Sequence, residues 1–142
     1  MTPVSREPPL FRARGGESFP DGLHYKVFRL PDVSLITVQG EIDLANAHVF
    51  GSALSQLSSR GLPVLVDLTK IQYIDSTGIH ALLRAHEQCR TNGVPFAVAT
   101  NRLVQRICAA VSLDHKFRIF ANIPLARGHF AARRRPRDAE VS

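Results

Sequence analysis

Between Tyr25 and Phe120 the spacing of hydrophobic residues changes several times, and each change marks a predicted element. Tyr25–Leu30 reads as a strand, and Pro31-Asp32 supplies a turn. Ser34–Gln39 is β-branched and aliphatic, which predicts a second strand paired with the first as a hairpin. Gly40-Glu41-Ile42-Asp43 ends it, and Asp43 is a suitable N-cap for a helix. From Leu44 to Ser59, the residues Leu44, Ala47, Phe50, Leu54 and Leu57 recur at helical spacing, and Gly61 closes that helix.

The pattern then becomes that of buried strands. Val64–Leu68 is a short apolar run bounded by Pro63 and Lys70, as expected for a parallel strand covered on both faces. A loop over Thr69–Asp75 leads to a helix from about Thr77 to Thr91, with Ile79, Leu82, Leu83 and His86 inward and Asn92-Gly93 as its stop. Pro95–Ala99 is another buried strand. Asn101 caps a helix carrying Leu103, Val104, Ile107 and Val111, and Lys116–Phe120 is a last strand. A weak final helix spans Pro124 to Arg134, with Gly128 against it. The class is α/β: an N-terminal hairpin, then alternating strand and helix, giving a mixed β-sheet with helices packed on it.

Composition sets the limits of this unit. Four of the nine prolines fall in residues 1–20, beside Gly15-Gly16, so that segment is expected to be a flexible arm. The folded domain is placed at residues 21–126. Residues 127–142 form a basic tail into which the last helix can extend. The formal charge is +6, and half of it falls in the last 17 residues, which hold five arginines and two acids. The core is therefore close to balanced. A solvated terminal charge run accounts for the tail better than a nucleic-acid surface does. The longest apolar run, Ile107–Val111, is five residues, too short for a membrane span or a signal core. Cys89 and Cys108 make no disulfide framework, so both are expected to be reduced thiols in a cytoplasmic protein.

Chemistry in such sheets collects at the carboxyl ends of the parallel strands. Behind Val64–Leu68 the chain reads Tyr73-Ile74-Asp75-Ser76-Thr77-Gly78-Ile79. Ser76 lies at or beside a helix N-terminus, where backbone N–H groups and the helix dipole favour negative charge. Gly78, lacking a Cβ, allows a close approach. On the residues alone, Ser76 or Thr77 serving only as a helix cap, with Gly78 fitting the tight turn, is the stronger account. Serine catalysis fits poorly, since Ile74 occupies the place of the glycine that a nucleophile elbow requires and His80 has no evident acid partner. His86 and Cys89 share a helix face, but no further ligands follow at zinc-site spacing. Neither a P-loop nor a dinucleotide-binding glycine motif is present. No catalytic residue, metal or cofactor is expected.

Two stretches together carry a resemblance: Ile36-Thr37-Val38-Gln39-Gly40-Glu41-Ile42-Asp43-Leu44, and Val66-Asp67-Leu68 followed by Tyr73-Ile74-Asp75-Ser76-Thr77-Gly78. With the order of elements over residues 21–126, they resemble the STAS family of anti-sigma factor antagonists. The resemblance implies that Ser76 is a phospho-acceptor for an anti-sigma factor that is also a serine kinase. It implies that the unphosphorylated protein binds that partner and frees the sigma factor, and that a phosphatase resets the switch. It places Asp43, Asp75, Ser76, Thr77, Gly78 and Ile79 on the partner-binding surface. The alternative within the same fold is a scaffold without a phospho-switch, or a small-ligand sensor in a signalling assembly. Neither a membrane nor nucleic acid is the expected partner, and the oligomeric state is left open.

Overall fold

A computed structural model describes residues 22–112 and 116–141. The expected N-terminal arm lies outside them. The hairpin forms as its turn chemistry predicts: β1 (Leu23–Arg29) and β2 (Ser34–Ile42) pair antiparallel across Pro31-Asp32. Next in the chain come α1 (Ala47–Ser58), β3 (Val64–Ile74), α2 (Ser76–Thr91), β4 (Phe96–Thr100), α3 (Arg102–Ala110), β5 (Arg118–Phe120) and α4 (Ile123–Val141). The sheet order is β1-β2-β3-β4-β5, and every pair after the hairpin is parallel. The mixed sheet expected from the sequence is the observed one.

Alternation along β3 divides the core into two layers. Val64, Val66 and Leu68 face α1, α2 and α3, joining Phe50, Leu54, Leu57, Leu82, Val104 and Cys108. Leu65 faces the other way with Phe28, Leu35 and Ala97, against Ala126 and Phe130 of α4. Strand periodicity thus decides which helix each residue meets. Cys89 is fully buried, and burial pushes its thiol up to about 11, so it behaves as a small hydrophobe.

β3 is longer than expected. The Thr69–Asp75 segment continues the strand almost to its end, because two irregularities hide its alternation. The register with β2 shifts between Thr37 and Gln39 and again between Gly40 and Glu41. At the first shift Asp67 Oδ1 accepts both the N–H of Thr69 (2.9 Å) and its hydroxyl (2.7 Å), which folds an extra residue into the strand. Ile71 and Ile74 therefore stay on the same core layer as Leu68 despite the broken spacing.

Three helix boundaries also differ. α1 begins at Ala47, so Asp43 is not its N-cap and Leu44 is not a core residue; Asn46 occupies the cap position. α2 begins at Ser76, capped by Asp75 rather than by Ser76 or Thr77. α3 buries Val104 and Cys108, while Leu103 and Val111 are exposed, because a nine-residue helix touches the sheet along a single i, i+4 row. Asn101 caps it as expected, accepting from the N–H of Val104 at 2.8 Å. α4 outruns the expected Pro124–Arg134 segment. Asn122 starts it by accepting the N–H of Leu125 at 2.9 Å, and its backbone continues through Arg133–Arg137.

Candidate functional site

The adjacent parallel strands β2 and β3 end side by side, with Ile42 paired to Ile74. One more ladder bond, from the N–H of Asp75 to the carbonyl of Ile42 (3.0 Å), carries the pairing to their last residues. Asp43 and Asp75 therefore leave the sheet next to each other at its carboxyl edge. The two connections to α1 and α2 start from this point.

The first connection is wound tight by Asn46. Its side chain donates to the carbonyl of Glu41 (3.0 Å) and accepts the N–H of Asp43 (3.0 Å). Asp43 Oδ1 accepts the N–H of Ala45 (3.0 Å), and its carbonyl accepts the N–H of Ala47 (2.8 Å). With these polar groups satisfied inside the turn, Leu44 is pushed outward and is 77% exposed. The glycine of the Gly-Glu-Ile-Asp stretch is structural, since a Cβ on Gly40 would lie 1.9 Å from the carbonyl oxygen of Gly22.

The second connection is a helix cap. Asp75 Oδ1 accepts from the N–H of Thr77 (2.9 Å), the N–H of Gly78 (3.3 Å) and the Thr77 hydroxyl. The Thr77 hydroxyl foremost, then the N–H groups of Gly78, Thr77 and Leu44, hold the Asp75 carboxyl below its ordinary value against a smaller desolvation penalty. Asp75 is therefore ionised at neutral pH.

The two hydroxyls at the start of α2 differ in their freedom. Thr77 is half-buried and bonded to Asp75. Ser76, the first helical residue, is exposed, and its Oγ has no hydrogen-bond partner among the described residues. Gly78 is packed on the strand ends: a Cβ there would meet Ile42 Cγ2 and Ile74 Cγ1, each at 2.7 Å. Ile79 is 7% exposed and belongs to the core. Asp43, Asp75, Ser76 and Thr77 thus come together at the surface, while Gly78 and Ile79 form the frame beneath them. His80 is exposed one turn along.

The hydrophobic pattern misses two residues at this edge. Leu44 continues the helical spacing and so reads as core, yet it stands in solvent. Tyr73 pairs with Glu41 on the bulged end of β3 and is 48% exposed. The Asp-x-x-Asn spacing from Asp43 to Asn46 is the one signal for the tight turn that exposes Leu44.

Residues 25–126 match the STAS domain family. The chain belongs to the STAS family. Among characterised relatives, the anti-sigma-F factor antagonist RsfB of Mycobacterium tuberculosis is 24% identical over 107 residues, covering 75% of this chain and 88% of RsfB. Osmosensory protein A of the same species is 31% identical over 75 residues, which are 52% of this chain and 48% of that protein. Among solved structures, an anti-sigma factor antagonist from Mycobacterium paratuberculosis superimposes with a TM-score of 0.73 at 22% identity, over 81% of this chain and 99% of the other. At this identity the structural likeness is one of fold. No helix among the described residues of this STAS domain is long and apolar enough to cross a membrane.

Proposed function

We propose that this STAS protein is an anti-sigma factor antagonist that docks through the carboxyl edge of β2 and β3 and is switched off by phosphorylation of Ser76. The partner is an anti-sigma factor with serine kinase activity, and a phosphatase restores the binding form. The observation that carries this reading is the contrast between the two hydroxyls: Thr77 is committed to Asp75, while Ser76 is exposed at the first position of α2. The relatives named as antagonists support the choice of partner class.

The physics of the switch follows from position. A phosphate adds about −1.5 to −2 charge. At a helix N-terminus this is favourable by about 0.3–1 kcal/mol, so the domain keeps its fold. Toward a partner the same charge stands beside Asp75 and Asp43, and burying it costs dehydration and repulsion. A loss of about 2.8 kcal/mol weakens binding a hundredfold. Exposed Tyr73 is a residue type enriched among interface anchors, and exposed Leu44 adds apolar area to bury.

The test is incubation with the cognate kinase and ATP, followed by fragment mass spectrometry. One phosphate on Ser76 is expected, and none on a Ser76→Ala variant that still binds the partner. Phosphate on Thr77, or full modification of Ser76→Ala, would remove the switch residue from the proposal.

A further inference from the structure

The opposite end of the sheet holds a cleft of about 290 Å³ between the strand starts and α4. Two equivalent turns form its floor. Gly61-Leu62-Pro63 leads into β3, and Gly93-Val94-Pro95 leads into β4, each opening on a left-handed glycine (φ +82° and +74°). Both turns line the cleft, and the side of α4 that bears Arg127, Phe130 and Ala131 closes it.

The chemistry of the floor is unusual for two adjacent loops. Proline has no N–H, so neither strand start presents a donor at that position. The proline carbonyls are also committed, to the N–H of Ser34 (from Pro63, 2.8 Å) and of Val64 (from Pro95, 2.9 Å). The apolar part of the lining is half-buried Leu62 and Val94, the two proline rings, and the more deeply buried Val33 and Phe130, with the exposed backbones of Gly61 and Gly93 beside them. At the rim stands an ion pair, Arg127 with Asp32. Arg127 Nη2 donates to both oxygens of Asp32, at 3.0 and 2.9 Å. Its Nη1 and Nε make no hydrogen bond among the described residues, so the guanidinium keeps donors for a second acceptor.

We propose that this cleft binds a small carboxylic acid with an apolar body, the body lying on the two proline turns and the carboxylate meeting Arg127. A cavity of about 150 Å³ is enough for benzene, so the volume here suits about two fused rings or a medium-length hydrocarbon chain. A planar guanidinium favours a carboxylate over a neutral polar head, and the mainly apolar walls favour hydrocarbon over sugar or nucleotide. The site is remote from Ser76 in the fold and does not depend on the phospho-switch.

The experiment is a titration of the full chain with 2-naphthoate, followed by amide chemical shifts in nuclear magnetic resonance. Saturable shifts at Gly61, Gly93 and Ala131 are expected, with a Kd of about 0.1–1 mM for a ligand of this size. The neutral 2-naphthamide should bind about tenfold more weakly, and Arg127→Gln should abolish that difference. Ala131→Trp, a change at an exposed helical position, fills the cleft from its rim and should abolish binding of both probes. Absence of saturable shifts at the cleft overturns the proposal. So does equal binding of acid and amide to the wild type, or an Ala131→Trp variant that binds 2-naphthoate as the wild type does.

Discussion

The two ends of the sheet are built from opposite chemistry. At the carboxyl edge, the turns after β2 and β3 are knotted by side chains: Asn46 bonds Glu41 and Asp43, and Asp75 gathers Thr77 and Gly78. At the amino edge, the turns before β3 and β4 open on glycine and end on proline, and the side-chain bonds run between elements: Arg60 to Ser34 and Leu30, Asn92 to Ser58, and Arg127 to Asp32. The difference follows from strand direction. Parallel strands send helix N-termini, with their free N–H groups, to one edge and helix C-termini to the other. The first edge draws acceptors and anions through its backbone N–H groups, whereas at the second the proposed attraction for a carboxylate rests on one side chain, Arg127. A polar switch and an apolar cleft can therefore occupy one small domain without competing for the same groups.

The comparison is broken most completely through the core that both edges share. Phe50→Ala removes a fully buried ring and should cost about 3–5 kcal/mol in urea unfolding, degrading both edges together. The next largest effect belongs to the carboxyl edge alone. Ser76→Asp should weaken partner binding at least a hundredfold, about 2.8 kcal/mol, with the melting temperature unchanged within error. Unaltered affinity for an anti-sigma factor would defeat the electrostatic switch.

A matching change at the amino edge should act on stability only. Arg60 Nη1 donates to the fully buried Ser34 Oγ (3.0 Å), so Arg60→Leu strips that hydroxyl of its donor. A loss of about 1–3 kcal/mol is expected in denaturant melts, with partner affinity intact. Leu44→Ser should do the reverse. Stability should stay within about 0.5 kcal/mol, because the side chain is already in solvent, while affinity falls about tenfold. If Leu44→Ser binds normally, that loop lies outside the interface.

The smallest effect concerns acid. His86 sits between Phe96 and Phe117, its ring centre 5.8 and 5.7 Å from theirs, and its Nδ1 is buried without a partner among the described residues. Burial, with lesser contributions from Arg90 and Lys116, lowers its pKa against the pull of Glu87. The unfolded chain then takes up the proton more readily than the folded one. Stability from this residue is complete above about pH 6.5 and declines as pH falls toward the depressed folded value. Melting curves of wild type and His86→Phe should converge at neutral pH and separate below it, with the variant less acid-sensitive.

Much of the scaffold was legible because apolar runs such as Val64–Leu68 and the capping residue Asn101 act locally. The Asp-Ser-Thr-Gly start of α2 was also visible, although which residue caps it was not. Asp75 and Ser76 are both good caps by type, and only the backbone angles of Asp75 (φ −100°, ψ −172°) settle the assignment. Leu44 is hidden because helical spacing continues through it, while the Asn46 bonds that forbid the helix there connect residues three and five apart. The proline cleft is hidden because Pro63 and Pro95 each read as an ordinary strand boundary. Their joint effect exists only once β3 and β4 lie side by side.

The bulges of β3 carry a consequence for how this chain tolerates insertions and deletions. From Ser34↔Val64 to Ile42↔Ile74, β3 uses two more residues than its neighbour to cover the same span of sheet. That surplus sets the phase at which the proposed phospho-acceptor emerges. Loss of the extra residue at one bulge would restore regular two-residue spacing there and leave Ile71 and Ile74 on the face they share with Leu68. Loss of one residue from the regularly paired segment Val64–Asp67 would instead draw the chain beyond it back by about 3.3 Å and exchange the two faces of the strand. The bulges are therefore where β3 can absorb a change of length, while the regular segment before them fixes the point at which the proposed phospho-acceptor leaves the sheet.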